Sequence, residues 1–419
     1  MAYNQTMTGK TQTLKGFRDF LPEEALKRQY IQQKIEKVFA SYGFDPLETP
    51  ALEYAETLMG KYGAEADKLL YLFEDSGGRK IGLRYDQTVP ISRVVAQYGQ
   101  LFPTPFKRYQ IQPVWRAEKP QKGRYREFLQ CDIDTFGSDS YLADAEIISC
   151  TIDALKSIGF AKPQMWLNDR TVFDVLGLTK KEIIIVDKLD KIGQEAVIKE
   201  LESAGRKNAQ ALFNSIESSV KTERLKNICH YLDQAGYLEG EDYLFVPFLA
   251  RGLDYYTSTI FEAKITGSGS PLSVAGGGRY DKLIGSFSGR DIPAVGIAFG
   301  FDRIVETAQQ LFLLPDSKTK SQLLVCALGT ESIPAVAWLA PKLRTTGINT
   351  EVYPDPQAKL DKQLKYADKK GIPFIAILGE DEISTQSVTV KNMTTGEQTS
   401  YSSAKPEDIA AYVQKSPPL

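Results

Sequence analysis

Apolar and polar side chains alternate in the stretch WRAEKPQKGRYREFLQCDIDTFG, from Trp115 to Gly137. Side chains two apart share one face of a strand, so the alternation predicts a hairpin whose second strand has an apolar face and a mostly polar face. The first face carries Leu129, Cys131 and Ile133, and the second carries Phe128, Gln130, Asp132 and Asp134. We therefore expect the second face to meet water or a ligand.

The loop of this hairpin is strongly basic. It contains Lys119, Lys122, Arg124 and Arg126, and the incoming run adds Arg116 and Glu118. A solvated basic tip would explain such a loop if the hairpin stood alone. Cations beside a strand face that carries carboxylates also suit a ligand with both negative and positive groups. The rest of the chain helps to decide between a solvated tip and such a ligand site.

Apolar residues at helical spacing predict a helix over Pro22–Ser41, followed by a strand-like run to Pro50. Alternation predicts a strand over Lys80–Asp86, after which Thr88 is expected to cap a helix with Pro90 in its first turn. Asp86 thus places a second carboxylate close to the hairpin in sequence.

The local composition and residue pattern of the chain divide it into regions. Residues 170–242 read as a helical insertion, and residues 1–169 and 243–314 form the region that it interrupts. Residues 315–321 have linker composition. In residues 322–419, apolar strands alternate with helices, which predicts a compact α/β domain whose helix over 357–370 exposes Lys362, Lys365 and Lys369.

Composition narrows the class of protein. The 419 residues are 42% hydrophobic and 25% charged, with a net charge of −2, so the chain is globular and any nucleic-acid contact must come from local patches. Four distant cysteines without a CxxC pair indicate a reducing compartment, and the single histidine, His230, excludes a multi-histidine metal site. No signal-like or membrane-spanning apolar run occurs, so we expect a cytoplasmic protein without membrane contact.

Three further features carry candidate chemistry. The run Gly276–Gly278 predicts a tight turn or a mobile loop over a pocket. Arg251 lies in LARGLDYYTSTIFE, a segment that reads as buried β structure, where either Asp254 or an anionic ligand would neutralise it. A strand is predicted to end at Gly300, placing Arg303 in the first turn of a helix, where the helix dipole disfavours a cation unless a ligand requires it.

Four arginines could together surround a polyphosphate: Arg116, Arg124, Arg251 and Arg303. Acceptors suited to an ammonium and a small polar group accompany them: Asp86, Gln130, Asp134 and Tyr256.

At these residues the chain resembles the class II aminoacyl-tRNA synthetases, and among them closely the histidyl-tRNA synthetases. GFDPLETPALE, the hairpin and AVGIAFGFDRI are similar to the three class motifs, and RGLDYYTSTIFE, AGGGRYD and LRYDQTVP are similar to segments typical of the histidyl enzymes. The resemblance covers nearly the whole chain.

The resemblance implies an α+β fold in which a six-stranded antiparallel catalytic sheet, flanked by helices, is joined to a helical insertion and a C-terminal anticodon-binding domain. It also implies activation of L-histidine with ATP and Mg²⁺, transfer to tRNA(His), and a homodimer built partly through the first motif. By position, Arg116 would contact the α-phosphate, Glu118 the base end of ATP, and Phe128 the adenine ring. Arg124 and Arg303 would hold the outer phosphates, and Arg251 would stabilise charge at the α-phosphate.

The residues that the resemblance assigns to histidine are Asp86, Thr88, Gln130, Asp134, Arg251, Tyr255, Tyr256 and Tyr280. Since such a polar site rejects apolar amino acids without proofreading, the insertion is expected to contact tRNA and not to edit. Two non-catalytic alternatives are a synthetase-like regulatory subunit of histidine biosynthesis and a tRNA-sensing module. The first generally lacks the C-terminal domain, and the second is attached to a kinase, for which this chain has no motifs. A class II synthetase for another amino acid is a third.

Replacing Arg251 with alanine should leave the fold intact and lower adenylate formation by about 10²- to 10³-fold, as for loss of one preorganised donor. Histidine-dependent pyrophosphate exchange measures this step. An exchange rate near that of the unmodified protein would rule out the role given to Arg251.

Overall fold

The computed structural model describes residues 11–60, 69–120, 123–251, 255–269 and 272–415. The chain divides into two compact units, Met1–Asp19 with Ile31–Leu313, and Phe20–Tyr30 with Leu314–Leu419. Each unit contains its own large β-sheet, and each is described by itself.

Up to Leu313 the strands are β1 (Asp45–Pro46), β2 (Leu52–Tyr54), β3 (Leu72–Glu74), β4 (Lys80–Leu83), β5 (Phe106–Trp115), β6 (Glu127–Phe136), β7 (Pro163–Asp169), β8 (Tyr243–Phe245), β9 (Thr259–Ile265), β10 (Ala275–Arg279) and β11 (Ala294–Gly300). The helices are α1 (Pro22–Ser41), α2 (Ala55–Leu58), α3 (Thr88–Tyr98), α4 (Tyr141–Ile158), α5 (Thr171–Val175), α6 (Lys180–Val186), α7 (Leu189–Ile192), α8 (Gln194–Ser203), α9 (Ala209–Glu217), α10 (Glu223–Gln234), α11 (Gly285–Ser288) and α12 (Phe301–Gln310), with a 3₁₀ turn at Gly99–Leu101.

The main sheet has the strand order β1-β5-β6-β11-β10-β9-β7-β8. All neighbours from β5 to β7 in this order are antiparallel, whereas β1 and β8 pair in parallel at the two edges. The α+β class and the six-stranded antiparallel sheet are thus confirmed. A separate three-stranded antiparallel sheet, β2-β4-β3, contains the strand predicted from Lys80, which ends at Leu83 and not at Asp86.

Helix α4 packs against strands of the main sheet, namely β6, β7, β9 and β11. Ser140 caps the helix by accepting a hydrogen bond from the backbone N–H of Leu142, and Gly159 ends it in the left-handed conformation, with φ at 115°. Its side chains Ile147, Ile148 and others are fully buried, so the helix closes the core on that side of the sheet.

Helices α5 to α9 share a core in which Phe173, Leu201 and Ile216 are fully buried, and this core also includes Tyr256 and Ile260, while α10 packs against α4. These helices lie within residues 170–242, where the sequence predicts helical structure. His230 is exposed on α10, as expected of a surface histidine.

Strand β10 contains the glycines Gly276–Gly278, so the prediction of a turn or mobile loop there is wrong. The close approach of neighbouring backbone explains why glycines occupy these positions. A Cβ atom on Gly277 would lie 2.1 Å from the backbone oxygen of Gly296 on β11. A Cβ on Gly278 would lie 2.5 Å from the backbone oxygen of Thr259. Neighbouring backbones occupy the space that side chains would need.

The second unit contains β12 (Leu323–Ala327), β13 (Thr350–Val352), β14 (Phe374–Leu378), β15 (Ser387–Asn392), β16 (Gln398–Ser402), α13 (Ile333–Thr345), α14 (Leu360–Lys370), α15 (Glu380–Ser384) and α16 (Pro406–Lys415), with a 3₁₀ turn at Thr330–Ser332. The strand order is β13-β12-β14-β15-β16, parallel among the first three and antiparallel afterwards. The predicted α/β pattern is confirmed, and the hairpin β15-β16 extends it. The predicted lysines Lys362, Lys365 and Lys369 are exposed on α14.

Within the described ranges, no helix is both long enough and apolar enough to cross a membrane.

We expect the substitution Gly277→Ala to lower the free energy of unfolding by at least about 1–3 kcal/mol, because the new methyl group meets backbone that is tied into the sheet. Urea unfolding measures the change. Gly99→Ala is the matched control, since its Cβ would meet only the Cγ1 atom of Val95, at 3.8 Å. Equal stability of the two variants would contradict the close approach of β10 and β11.

Candidate active site

A cavity of about 660 Å³ opens beside strands β6, β9, β10 and β11 of the main sheet. Seven of the predicted site residues line it: Arg116, Glu118, Arg124, Phe128, Gln130, Arg251 and Arg303. The other predicted residues do not line it: Asp86, Thr88, Asp134, Tyr255, Tyr256 and Tyr280. The structure therefore separates the candidate site into a basic cavity and a more deeply buried polar region.

Arginines dominate the part of the cavity near the start of α12. Arg303 lies in the first turn of this helix, as predicted, and its Nη1 donates to the backbone oxygen of Ser273 over 2.9 Å. Burial lowers the pKa of Arg303, and the positive charges of Arg124 and Arg116 lower it further. The negative charges of Glu262 and a second glutamate raise the pKa, but they do not outweigh these effects. These guanidinium groups are close enough to repel one another, and a bound anion would relieve that repulsion.

Arg116 and Phe128 stack against each other, with the guanidinium carbon 4.9 Å from the ring centroid. Arg116 also lies 4.4 Å from the ring centroid of Tyr85 and donates through Nε to the backbone oxygen of that residue. These contacts hold the planar guanidinium at the cavity wall.

The cations of the hairpin loop differ in their contacts. Arg126 donates to the backbone oxygens of Glu118 and Lys15, at 3.0 and 3.3 Å, and so ties the N-terminal segment to the hairpin. Arg124 is about half exposed, and its nearest carboxylate oxygen, on Glu118, is 3.8 Å away. Lys122 lies outside the described residues. Arg124 is therefore available to a ligand, whereas Arg126 has a structural role.

Arg251 is held against β9. Its Nη1 donates to the Oε1 of Glu262 over 2.5 Å, and Ser273 donates a hydrogen bond to the other carboxylate oxygen. Burial lowers the pKa of Arg251, but the neighbouring Tyr256 and Glu262 outweigh this effect and raise it overall. The partner expected from the sequence, Asp254, lies outside the described residues. The observed carboxylate partner is Glu262, which the sequence analysis did not single out.

Strand β10 makes room for this guanidinium. A Cβ on Gly276 would lie 2.5 Å from the Nη1 of Arg251, so any larger residue would have to displace the arginine. The described part of LARGLDYYTSTIFE before Thr259 is not strand, so the prediction of buried β structure there is wrong. Arg251 thus approaches the sheet from outside it.

The polar residues on the predicted polar face of β6 are buried. Gln130, Asp132 and Asp134 are each at most 5% exposed. Arg108 of β5, which is fully buried, forms an ion pair with Asp134 at 2.5 Å, and Tyr280 donates a hydrogen bond to the same carboxylate. On this face Phe128 and Gln130 line the cavity, whereas Asp132 and Asp134 meet buried partners.

Burial raises the pKa of Asp134, while Arg108 and the hydrogen bond from Tyr280 lower it, and the nearby charge of Asp86 raises it again. Gly296 of β11 accommodates this carboxylate, because a Cβ there would lie 1.8 Å from its Oδ1 atom. The candidate acceptors Asp86 and Asp134 therefore share one buried region, as predicted.

The start of α3 differs from the prediction. Thr88 is the first residue of the helix and does not cap it, and the Oδ1 of Asp86 instead accepts from the backbone N–H of Val89 over 3.2 Å. Gln87 is fully buried, and its Nε2 donates to the backbone oxygens of Gln112 and Gln130, each at 3.0 Å. An amide at position 87 thus joins α3 to strands β5 and β6.

Tyr255, Tyr256 and Tyr280 form an aromatic group. The ring centroid of Tyr255 lies 4.6 Å from that of Tyr256 and 6.0 Å from that of Tyr280. Burial raises the pKa of Tyr255, and the charges of Tyr256 and Asp86 raise it further. The predicted tyrosines are therefore brought together with the predicted carboxylates.

Apart from Glu262, the sequence analysis missed two sets of residues at the candidate site. The first is Arg108. Arg108, Gln110 and Gln112 alternate with apolar residues along β5, and this alternation could have revealed a second polar strand face. The second set, Asp187, Asp190 and Lys191, lines the cavity from the region of α6 and α7. Only the tertiary structure brings these residues to the cavity, because they are distant in sequence from every predicted site residue.

Comparison with known proteins agrees with this geometry. A family model described as histidyl-tRNA synthetase matches residues 16–197 and 178–304. The chain belongs to the histidyl-tRNA synthetase family. A second model, described as an anticodon binding domain, matches residues 322–416 of this family member.

Individual members of the histidyl-tRNA synthetase family match along nearly their whole length. The histidine–tRNA ligase of Cytophaga hutchinsonii is 41% identical, covering 92% of this chain and 96% of its own. That of Rhodopirellula baltica is 39% identical, covering 96% and 98%. The crystal structure of histidyl-tRNA synthetase from a Nostoc species has a TM-score of 0.84 at 29% identity, covering 97% of this chain and 99% of that one.

In this histidyl-tRNA synthetase family member, we expect Arg108→Leu to lower the free energy of unfolding by about 3–5 kcal/mol, because it leaves the buried Asp134 carboxylate without its cation. The loss should grow as the pH rises above the ordinary carboxyl range, since an unpaired buried carboxyl favours its protonated form. Urea unfolding at several pH values measures this.

The double variant Arg108→Leu/Asp134→Asn is the control, because it removes the unpaired charge. It should recover part of the lost stability. If the double variant were as unstable as the single one at every pH, the ion pair would not be the cause.

Proposed function

We propose that the protein is a histidine–tRNA ligase, which activates L-histidine with ATP and transfers it to the 3′ end of tRNA(His). The observation that carries this proposal is the division of the site at Gln130. On one side of Gln130 lies a cavity rich in arginines, and on the other lies a buried group of carboxylates and tyrosines. Such a pair of environments suits an anionic nucleotide next to an amino acid with a cationic amino group.

The arginine-rich cavity would hold ATP. Arg116 would contact the α-phosphate, while Arg124 and Arg303 would hold the outer phosphates. Phe128 would stack on adenine, and Glu118 would contact the base end of the nucleotide. The mutual effect of the guanidinium charges on the pKa of Arg303 supports this assignment, because it indicates a positive potential at the cavity wall.

Mg²⁺ would enter with the nucleotide. The described residues contain no group of three or more histidine, cysteine, aspartate or glutamate side chains arranged to hold a metal ion. That fits Mg²⁺ bound mainly through substrate phosphates and water, which is a common arrangement for this ion. Its chemical contribution would be to neutralise phosphate charge, and no side-chain ligand is assigned to it.

The buried region would hold histidine. Asp86, Thr88, Gln130, Asp134, Tyr255, Tyr256 and Tyr280 would form this site, with Arg251 at its boundary with ATP. The Tyr280–Asp134–Arg108 cluster supports the assignment, because its polar groups are fixed by one another before any ligand arrives. A fixed polar site discriminates strongly against amino acids that leave its groups unpaired.

The reaction would proceed in two steps without a covalent enzyme intermediate. In the first, the histidine carboxylate attacks the α-phosphorus of ATP and pyrophosphate leaves. In the second, a hydroxyl at the 3′ end of tRNA attacks the carbonyl carbon and AMP leaves. The protein would contribute by orienting the reactants and by placing Arg251 where negative charge develops.

The partners of the proposed ligase are tRNA(His) and a second copy of the chain. Residues 322–416, which match the anticodon-binding family, would bind the tRNA together with the insertion. A homodimer is supported by exposed apolar residues on and beside the β2-β4-β3 sheet, among them Tyr54, Met59 and Phe73. Sedimentation velocity would determine the oligomeric state. The cytoplasmic location stays a prediction.

Screening all twenty amino acids for stimulation of ATP–pyrophosphate exchange tests the proposed activity. We expect histidine alone to stimulate exchange, because the polar groups of the buried region would be left unpaired by other side chains. The Arg251→Ala variant is the control for exchange by a contaminating enzyme. Stimulation by a different amino acid, or by none, would reject the proposal.

A further inference from the structure

We propose that Asp132 is a positioning residue, which turns the side-chain amide of Gln130 so that its oxygen accepts a hydrogen bond from the α-ammonium group of histidine. This inference rests on the proposed function and deepens it. Asp132 does not line the cavity and would act only through Gln130.

The geometry around Gln130 is specific. Its Nε2 donates to the Oδ2 of Asp132 over 2.7 Å, and both residues are buried, at 5% and 3% exposure. Within the described part of the chain, the Oε1 of Gln130 is buried and has no hydrogen-bond partner. Gln130 itself lines the cavity.

A glutamine amide can present either a donor or an acceptor, and its neighbours decide which. The carboxylate of Asp132 accepts hydrogen bonds, so it engages the NH₂ group and leaves the oxygen for a ligand. A buried oxygen without a partner costs free energy, which a ligand N–H group would recover. The ligand group expected at Gln130 is therefore a donor.

The position of Gln130 indicates which donor of histidine it meets. Gln130 shares the cavity lining with Arg251 and Arg303, whereas Asp134 and Tyr280 lie outside that lining. The reacting carboxylate of histidine must approach the cavity where ATP is proposed to bind. The α-ammonium group is attached to the same carbon as this carboxylate, so it comes closest to Gln130.

The surrounding charges agree with a cationic group there. Arg108 forms its ion pair with Asp134 and not with Asp132, and the second oxygen of Asp132 has no hydrogen-bond partner among the described residues. Burial raises the pKa of Asp132 well above its ordinary value, while the charge of Arg108 lowers it, so the ionised carboxylate is only partly compensated inside the protein. An ammonium group bound to Gln130 would add compensation at short range.

The test uses two inhibitors of histidine-dependent exchange. Histidinol keeps the amino group of histidine, and 3-(imidazol-4-yl)propionate lacks it. In Asp132→Leu, we expect the inhibition constant of histidinol and the KM for histidine to rise roughly 10- to 100-fold, as for loss of one hydrogen bond to a charged group. The constant for the propionate and the KM for ATP should stay unchanged.

Three further variants separate positioning from a structural role. Asp132→Asn keeps an acceptor for Gln130 and should restore most of the histidinol binding. Thr135→Val alters a buried residue on the opposite face of β6 and should leave both inhibitors unaffected. Gln130→Met removes the oriented oxygen itself and should lose histidinol binding as Asp132→Leu does.

Equal weakening of both inhibitors in Asp132→Leu, or normal histidinol binding in it, would overturn the inference. Should Asp132→Leu fail to fold, normal histidinol binding in Gln130→Met would overturn it as well. Exchange by the unmodified protein tests the proposed function separately from the role of Asp132. If it shows no histidine-dependent exchange, the proposed function itself fails.

Discussion

The buried ion pair between Arg108 and Asp134 is the constraint on which the site depends. Charged groups inside a protein are stable only with partners, and this pair joins β5 and β6, two neighbouring antiparallel strands on one side of the main sheet. Tyr280 donates a hydrogen bond to the same carboxylate, and a glycine at position 296 gives it space. The polar groups of the candidate histidine site are thereby immobilised by the same contacts that hold β5, β6 and β11 together.

The glycines of β10 serve the other side of the site. Gly277 permits close approach of β11, whereas Gly276 permits close approach of Arg251. Two adjacent residues of the same type thus have different functions, one in the backbone pairing of the sheet and one in placing a cation. Glu262 then orients that cation from β9, so two neighbouring strands, β9 and β10, determine the position of one guanidinium group.

The insertion is joined to the candidate site through a shared hydrophobic core. The core of its helices includes Tyr256 and Ile260, and its residues Asp187 and Lys191 reach the cavity. Burial raises the pKa of Asp187, while the charge of Arg251 lowers it and that of Glu262 raises it. The insertion therefore contributes charge to the cavity wall beside the residue proposed to stabilise the α-phosphate.

Much of the site was predictable because its residues are grouped in short motifs of fixed geometry. The alternation along β6 placed Gln130, Asp132 and Asp134 on one face, and the strand-to-helix junction at Gly300 placed Arg303 in a first turn. Periodicity determines which side chains share a face, but not what lies against that face. Only the tertiary structure decided that the polar face is buried against Arg108, that Glu262 pairs with Arg251, and that the glycine run is a strand. Each of these depends on contacts between segments far apart in the chain, which local spacing does not encode.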